Sequence, residues 1–207
     1  MQIINYGHAC FKIIEDGISV VLDPYEDNSV PGLELNKNIK ANFVFASHSH
    51  ADHNAIRKIE IEKKDFELKR SEILLPHDEV NGNKRGMSFA RIFYFSTYSI
   101  CHLGDIGDSQ AVEKCLELKD IDIVLCPING FFTISAETAI KLKKKMNWKL
   151  IIPMHYEIKE RGSGYPDGGQ IDIFKRLLPN HLIIDNDHID INNHLFKYDS
   201  LIFNKNR

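Results

Sequence analysis

Features that would place a protein in a membrane or outside the cell are missing from the sequence. It has no apolar run long enough to span a bilayer. Residues 1–5 begin neither the basic region nor the long apolar region of a secretory signal. The cysteines, Cys10, Cys101, Cys115 and Cys126, have no paired spacing and lie in or beside apolar segments, which favours reduced, buried thiols over disulfides. The sequence therefore predicts a cytoplasmic protein without a membrane-bound part.

An excess of charge of one sign is missing too. The 26 basic and 29 acidic residues give a net charge of −3, so no overall field attracts nucleic acid or an anionic membrane. We therefore expect no nucleic-acid or membrane partner. The chain has 207 residues, of which 43% are hydrophobic, and this is enough for one compact domain over residues 1–207.

Apolar segments of strand length dominate the first half of the chain. Strands are predicted at residues 2–5, 10–15, 18–22, 42–46, 72–75, 89–95, 98–102, 121–125 and 149–152. Helices are predicted at residues 109–118, at 136–146 with Ser135 as the N-cap, and at 171–178. The charged segment 57–70 fits a helix or a strand and is interpreted as a solvated surface, and the alternating tail 181–203 is typical of edge strands. This order predicts an α/β protein with layered sheets and helices outside.

The segment Ser47 to His53 places three imidazoles and a carboxylate directly after an apolar run, residues 42–46. A run of that length is typical of a buried strand, and the carboxyl ends of strands are where α/β folds build their sites. Histidine and aspartate are common ligands of zinc, manganese and iron. On a loop, His48 and His50 can serve one metal position while Asp52 and His53 serve a second. The alternative is a polar loop that is rich in histidine.

Three later strands also end in a polar group. His77 follows the apolar residues 74–76, and His155 follows residues 151–154. The strand 98–102 ends in His102, and Asp105 comes three residues later. Alone, His77 or His155 would more often be a surface histidine than a ligand. Four ligand-type segments at strand ends favour one shared metal site.

The order of these motifs resembles the metallo-β-lactamase superfamily of metal-dependent hydrolases. The resemblance rests on Tyr6 to Phe11, Val21 to Pro24, Ser47 to His53, His77-Asp78, Arg85-Gly86, His102 to Asp105 and Pro153 to Tyr156. It is greatest to the small bacterial branch that includes ascorbate-phosphate lactonase, and it fades after Tyr156. The resemblance implies an α/β fold in the form of a four-layer αββα sandwich.

The resemblance also implies a site with two divalent metal ions, for which zinc is the first expectation and manganese or iron the alternatives. By position, His48, His50 and His77 would hold one ion. Asp52, His53 and His155 would hold the other, and Asp105 would bridge the two. Two ions ~3.5–4 Å apart lower the pKa of a shared water, so that hydroxide forms at neutral pH and attacks a carbonyl carbon or a phosphorus. Asp52 would take the proton.

Four further residues are candidates for supporting roles. Asp23 would accept a hydrogen bond from a ligand imidazole, although an Asp-Pro turn explains it equally well. His102 is expected behind the ligands. His8 would line the pocket mouth or pack in a turn, and Arg85 would bind an anionic substrate group or lie in a plain turn. Residues 129–133 would add to the substrate wall, and residues 162–165 would form a surface loop.

The leading functional hypothesis is a hydrolase of an ester, lactone or phosphoester of a small metabolite. Exported lactamases of the superfamily often have a cysteine ligand where this chain has Asp105, and its flavodiiron oxidoreductases carry an acidic residue in place of His50. Both are therefore disfavoured. The alternatives are a metal-dependent nuclease or phosphodiesterase and a metal-binding module without catalysis. The predicted edge strands leave a homo-oligomer open.

Overall fold

The computed structural model describes residues 1–35, 38–62, 67–159 and 162–205. The strands are β1 (Gln2–Gly7), β2 (Cys10–Glu15), β3 (Ile18–Leu22), β4 (Ile39–Ala41), β5 (Phe43–Phe45), β6 (Ile59–Ile61), β7 (Arg70–Pro76), β8 (Met87–Tyr94), β9 (Ser99–His102), β10 (Ile123–Pro127), β11 (Leu150–Met154), β12 (His181–Ile184), β13 (His188–Asp190) and β14 (Ser200–Phe203). The helices are α1 (Ser109–Lys114), α2 (Ala136–Met146) and α3 (Gln170–Leu177). No helix in these ranges combines the length and the apolar character needed to cross a membrane.

Two mixed sheets form the framework. The first has five strands in the order β13-β1-β2-β3-β5, and the second has seven in the order β12-β14-β11-β10-β9-β8-β7. In the first, β3 and β5 are parallel; in the second, β9, β10 and β11 are parallel. Strand β8 is antiparallel to both β7 and β9, so β7 and β9 run in the same direction. The strands that carry the site motifs therefore end at a common edge of each sheet.

Apolar side chains fill the space between the two sheets and also cover the outer face of each sheet. Alternate residues of β2 and β3, such as Phe11 and Val20, meet residues of the second sheet such as Ile100 and Leu125. The outer face of the second sheet packs against α1, α2 and α3. On the outer face of the first sheet, the described residues form a loop around Tyr25 and the two-stranded sheet β4-β6 instead of an α-helix. The α/β sandwich is confirmed, with a largely irregular layer on one side.

Most predicted elements are present within one or two residues, including Ser135, whose Oγ accepts the N–H of Thr138 as an N-cap. Two details are wrong. Strand β5 is half-buried instead of buried, because it is the edge of its sheet. In the tail, β12 and β13 are edge strands, but β14 pairs with both β11 and β12 inside the second sheet.

The charged segment 57–70 has no single structure. It begins in a short 3-10 helix, Ile56–Lys58, and continues in β6, whose last two residues are exposed. Residues 63–66 lie outside the described ranges, so the predicted solvated surface can be compared with the structure only for the rest of this segment.

Candidate metal centre

The histidine and aspartate residues that follow the strand ends converge on one site. Three groups have ligand atoms within 4.8 Å of one another: His48, His50 and His77; His8, Asp52, His53 and His155; and His48, His53 and Asp105. The groups share His48 and His53, so they form one continuous cluster. All seven ligands that the resemblance implies are in it, together with His8.

The triad of His48, His50 and His77 draws on two loops. Nε2 of His48 lies 2.9 Å from Nδ1 of His50. The His77 ring lies 4.9 Å from the His48 ring and 5.4 Å from the His50 ring, measured between centroids. His77 is buried and His50 is exposed. The open side of the triad therefore faces solvent at His50.

The second group is more deeply buried. Oδ2 of Asp52 lies 3.3 Å from Nε2 of His8 and 3.5 Å from Nε2 of His53. The ring of His8 lies 3.9 Å from that of His155 between centroids. The side chains of His8 and His53 are fully buried, so His8 lies beneath the site and not at its mouth.

Asp105 lies between the two groups. Its Oδ2 is 3.0 Å from Nε2 of His155, 3.1 Å from Nε2 of His53 and 3.4 Å from Nε2 of His77. A hydrogen bond from its own N–H to Oγ of Ser88, 2.9 Å long, fixes the backbone of the carboxylate. One buried carboxylate oxygen thus faces imidazoles of both groups.

Asp23 determines which nitrogen of two imidazoles carries a proton. Nδ1 of His53 lies 2.8 Å from Oδ2 of Asp23 and donates to it. Oγ of Ser47 gives its only proton to the same oxygen, at 2.6 Å, and must therefore accept from Nδ1 of His48, 2.9 Å away. In neutral His48 and His53, Nε2 then carries the lone pair, and it faces other ligand-type residues of the cluster, His50 and Asp105 respectively.

The donor chemistry of the cluster fits a cation. Burial raises the pKa of Asp105, but the charges and hydrogen bonds of His155 and His53 outweigh it and hold this pKa well below its ordinary value. Burial lowers the pKa of His53, yet Asp105, Asp23 and Asp52 raise it well above its ordinary value. His53 therefore needs a proton or a metal ion between its Nε2 and the two carboxylates. Among the described residues, Oδ1 of Asp105 is buried without a hydrogen-bond partner.

Burial keeps other imidazoles of the cluster neutral. Desolvation, followed by the charge of His53, lowers the pKa of His48 to about 4. Desolvation, followed by the charge of His155, lowers the pKa of His8 to about 3. Neutral imidazole is the form that binds metal, so His48 is ready for it at pH 7.

His102 is fully engaged by its surroundings. Its Nδ1 accepts the N–H of Gly104 at 3.1 Å, so the ring proton is on Nε2, which donates to the carbonyl of Ala9 at 2.9 Å. Both ring nitrogens are therefore taken, and His102 supports the turn before Asp105 from behind.

Three residues of the site have a backbone conformation that non-glycine residues rarely adopt. The φ angles of His8, Asp23 and His155 are +55°, +45° and +58°. Such residues cost about 1–3 kcal/mol each and cluster at functional sites. A hydrogen bond from the N–H of His155 to the carbonyl of His8, 3.1 Å long, joins two of them across the sheets.

A cavity of about 230 Å³ opens over the cluster. Its walls are His50, Asp52, His77, Arg85, Asp105, Phe132, His155 and Tyr165. The cavity thus includes Arg85, Phe132 from the predicted substrate wall 129–133, and Tyr165 from the predicted surface loop 162–165. Asp78 was named only as part of the family resemblance, but its carboxylate organises the loop that carries Arg85. The available signal for this role was an aspartate before the turn-rich residues 81–83.

Comparison with known proteins identifies the family. The beta-lactamase superfamily domain matches residues 2–155. A UPF0173 metal-dependent hydrolase of Staphylothermus marinus is 28% identical over 192 residues, covering 75% of this chain and 84% of that protein. A UPF0173 protein of Pyrococcus abyssi is 28% identical over 202 residues, with 86% and 90% covered.

Solved structures share the fold. A proposed Zn-dependent hydrolase of the metallo-beta-lactamase superfamily from Thermotoga maritima has a TM-score of 0.74 at 23% identity and covers 98% of this chain and 97% of that one. An isothiocyanate hydrolase from Delia radicum gut bacteria has a TM-score of 0.67 at 14% identity, with 98% and 96% covered. The narrower similarity to ascorbate-phosphate lactonase stays a prediction. The chain belongs to the beta-lactamase superfamily domain family and is a metal-dependent hydrolase with the metallo-β-lactamase fold.

Proposed function

We propose that the cluster holds two divalent metal ions and hydrolyses an ester, lactone or phosphoester of a small metabolite. His48, His50 and His77 would hold one ion, and Asp52, His53 and His155 the other. The observation that carries this proposal is the position of Asp105, whose Oδ2 lies within 3.4 Å of imidazoles from both groups. A carboxylate in that place suits a bridging ligand.

Zinc suits this imidazole-rich set best, and manganese or iron are the alternatives where carboxylates contribute. Bound ions would supply Lewis-acid chemistry: they lower the pKa of a water and polarise the substrate oxygen. The Nε2 lone pairs of neutral His48 and His53, whose positions are fixed through Asp23, support this role.

Asp52 is the proposed proton acceptor. Its side chain keeps 15% exposure and forms part of the cavity wall, so it is open to the substrate side. Burial raises its pKa, but hydrogen bonds from His53 and His8 outweigh this and lower the pKa well below its ordinary value. The carboxylate is therefore ionised at neutral pH. Nε2 of His8 orients Oδ2 of Asp52 from the buried side.

The cavity volume of about 230 Å³ supports a small substrate. The net charge of −3 argues against the nuclease alternative. We also propose a cytoplasmic location, supported by the four free cysteines, three of them buried.

The test is metal content per chain on protein purified without chelator. We expect about two metals, loss of one in His50→Ala, and weaker retention of both in Asp105→Ala. His188→Ala, at an exposed histidine on β13, is the matched control and should keep both. One metal in the unaltered protein would refute the dinuclear assignment.

A panel of esters, lactones, thioesters and phosphodiesters tests the hydrolysis itself. Turnover that requires metal and is lost in Asp105→Ala is expected. Tight metal binding without turnover of any member would favour a metal-binding module. Salt-sensitive cleavage of short RNA, lost in His50→Ala, would favour the nuclease.

A further inference from the structure

Arg85 lines the cavity over the metal cluster. The guanidinium of Arg85 lies 5.6 Å from the ring centroids of both Phe131 and Phe132. Within residues 1–35, 38–62, 67–159 and 162–205, its side chain forms no hydrogen bond and no ion pair. Its five N–H donors are therefore free to bind a group that enters the cavity.

The backbone of Arg85 is held in place from below. Asp78, which is 3% exposed, accepts four backbone N–H groups. Oδ1 accepts those of Val80 and Gly82, both at 2.9 Å, and Oδ2 accepts those of Lys84 and Arg85, at 2.8 and 2.7 Å. The loop is also tied to the cluster, because the N–H of His77 donates to the carbonyl of Gly86 at 3.0 Å. The arginine thus starts from a rigid loop.

Aromatic rings form the neighbouring wall. Phe132 and Tyr165 lie 5.2 Å apart between centroids, and the Tyr165 ring stacks over His155 at 6.0 Å and 24°. The hydroxyl of Tyr165 donates to the carbonyl of Ser29, which anchors its far end. Oδ1 of Asn129 accepts the N–H of Phe132 at 3.0 Å. Both rings are therefore fixed before any ligand arrives, which lowers the entropic cost of binding.

We propose that Arg85, Phe132 and Tyr165 form a specificity subsite for a small substrate with a flat apolar body and a carboxylate or phosphate at its far end. The proposal rests on the hydrolytic function proposed above and names its substrate class. The guanidinium pairs with two oxygens of the anion, and the rings cover the body. The hydrolysed bond then lies toward the metal cluster, since Arg85 and the ligands face the same cavity.

Matched esters measure the preference for an anion. 4-Acetoxybenzoate and 4-acetoxybenzamide share their ring and acetyl ester but differ in the charge at the far end, and 4-acetoxyphenyl phosphate supplies the phosphate arm. On the metal-loaded protein, we expect kcat/KM for one anionic ester to exceed that for the amide by about tenfold or more. The better anion identifies carboxylate or phosphate as the preferred group. Equal values for all three would overturn the proposal.

Variants assign the preference to Arg85. Arg85→Gln should reduce the anion-to-amide ratio to near one, and Arg85→Lys should leave an intermediate ratio because an ammonium cannot pair with two oxygens at once. Lys84→Gln is the control: it removes the same charge one residue away, from an exposed side chain that is not part of the cavity. A ratio that falls equally in Lys84→Gln would indicate only a general field, and the subsite would be refuted.

A binding measurement separates the subsite from the hydrolysis. Calorimetry on the metal-loaded protein compares the binding of 4-hydroxybenzoate with that of 4-hydroxybenzamide. 4-Hydroxyphenyl phosphate is the phosphate member of the same series. We expect the preferred anion to bind about tenfold more tightly, and Arg85→Gln to remove this advantage. An advantage unchanged in Arg85→Gln would mean that the metals bind the anion, which overturns the subsite. If anion binding depends on Arg85 but no ester is hydrolysed, the result supports the Arg85 subsite and refutes the proposed ester hydrolysis.

Discussion

Asp23 and His53 form a fully buried pair in which Oδ2 of the carboxylate lies 2.8 Å from Nδ1 of the ring. Asp23 follows β3, and His53 lies on the loop after β5, so the contact joins the ends of two parallel strands. The same oxygen accepts the hydroxyl proton of Ser47, which in turn fixes the ring of His48. One carboxylate therefore directs imidazole lone pairs of both proposed metal positions.

Asp23→Asn tests this arrangement. The amide keeps the shape but not the charge, and its NH₂ group cannot accept from His53. Because supporting carboxylates of this kind tune ligand imidazoles, we expect metal affinity to fall about 10–100-fold. The measurement is metal retention against a competing chelator. Asp122→Asn is the control. Asp122 accepts the backbone N–H and the hydroxyl of Ser99, just as Asp23 accepts those of Ser47, but it lies far from the cluster. Equal metal retention in the two variants would contradict the assignment.

Ser47→Ala separates the two positions. It removes the link between Asp23 and His48 but leaves the direct hydrogen bond from His53 to Asp23. We expect one of the two metals to be bound more weakly and the other to be nearly unaffected, as measured by stepwise titration with zinc. Equal weakening of both would show that Ser47 acts through the whole loop instead of through His48.

Gly104 shows how closely the chain packs behind Asp105. A Cβ at this position would lie 2.4 Å from Oγ of Ser88 and 2.7 Å from Cβ of Ser47, whereas a Cβ at Gly86 would meet nothing within 4 Å. Both glycines have positive φ. We expect Gly86→Ala to cost about 1–2 kcal/mol of unfolding free energy for its backbone. Gly104→Ala should cost more and also lose metal, because Asp105 is displaced. Denaturant unfolding and metal content measure the two effects, and full metal content in Gly104→Ala would contradict this account.

His102 should behave as a structural histidine. Its two nitrogens are occupied by Ala9 and Gly104, so His102→Gln is expected to keep both metals while losing about 1–3 kcal/mol of stability from broken buried hydrogen bonds. His77→Gln is the contrast, and should lose metal. Metal content and thermal unfolding of the two variants distinguish the roles. A drop in metal content of His102→Gln at unchanged fold would make it a ligand.

The sequence predicted the framework because its apolar periods coincide with the sheets. Local signals alone predicted the strands 10–15 and 18–22 and the N-cap at Ser135. The position of β14 inside the sheet was not predicted. An alternating pattern does not reveal that β14 pairs with β11 on one side as well as with β12 on the other. The half-burial of β5 was not predicted either, because an apolar run does not show which strand ends a sheet.

Ligand-type residues at strand ends were visible in the sequence because their chemistry is distinctive. What they do in three dimensions was less accessible. The two hydrogen bonds that Asp23 accepts, from His53 and from Ser47, form only because two loops meet in the fold. The spacing of these residues in the sequence does not indicate that contact. Likewise, the four N–H groups around Asp78 result from a loop conformation, and the sequence showed only the turn-forming residues after it.

Asp78 should make stability depend on acid pH. Burial raises its pKa, but hydrogen bonds from the backbone of Arg85, Lys84 and two further residues outweigh this and lower it to about 2, below the ordinary value of about 3.9. Above about pH 5, both folded and unfolded chains carry the charge, so its contribution is complete there. As pH falls through about 4 toward about 2, the unfolded chain takes up the proton first and the contribution is lost. The Tm of the unaltered protein should therefore exceed that of Asp78→Asn by a constant amount near neutrality, and the gap should close in acid. Protonation of the cluster histidines affects both proteins and cancels in the difference. Glu79→Gln, an exposed change in the same loop, is the control, and a gap for Asp78→Asn that stays constant down to about pH 2 would contradict the expected loss.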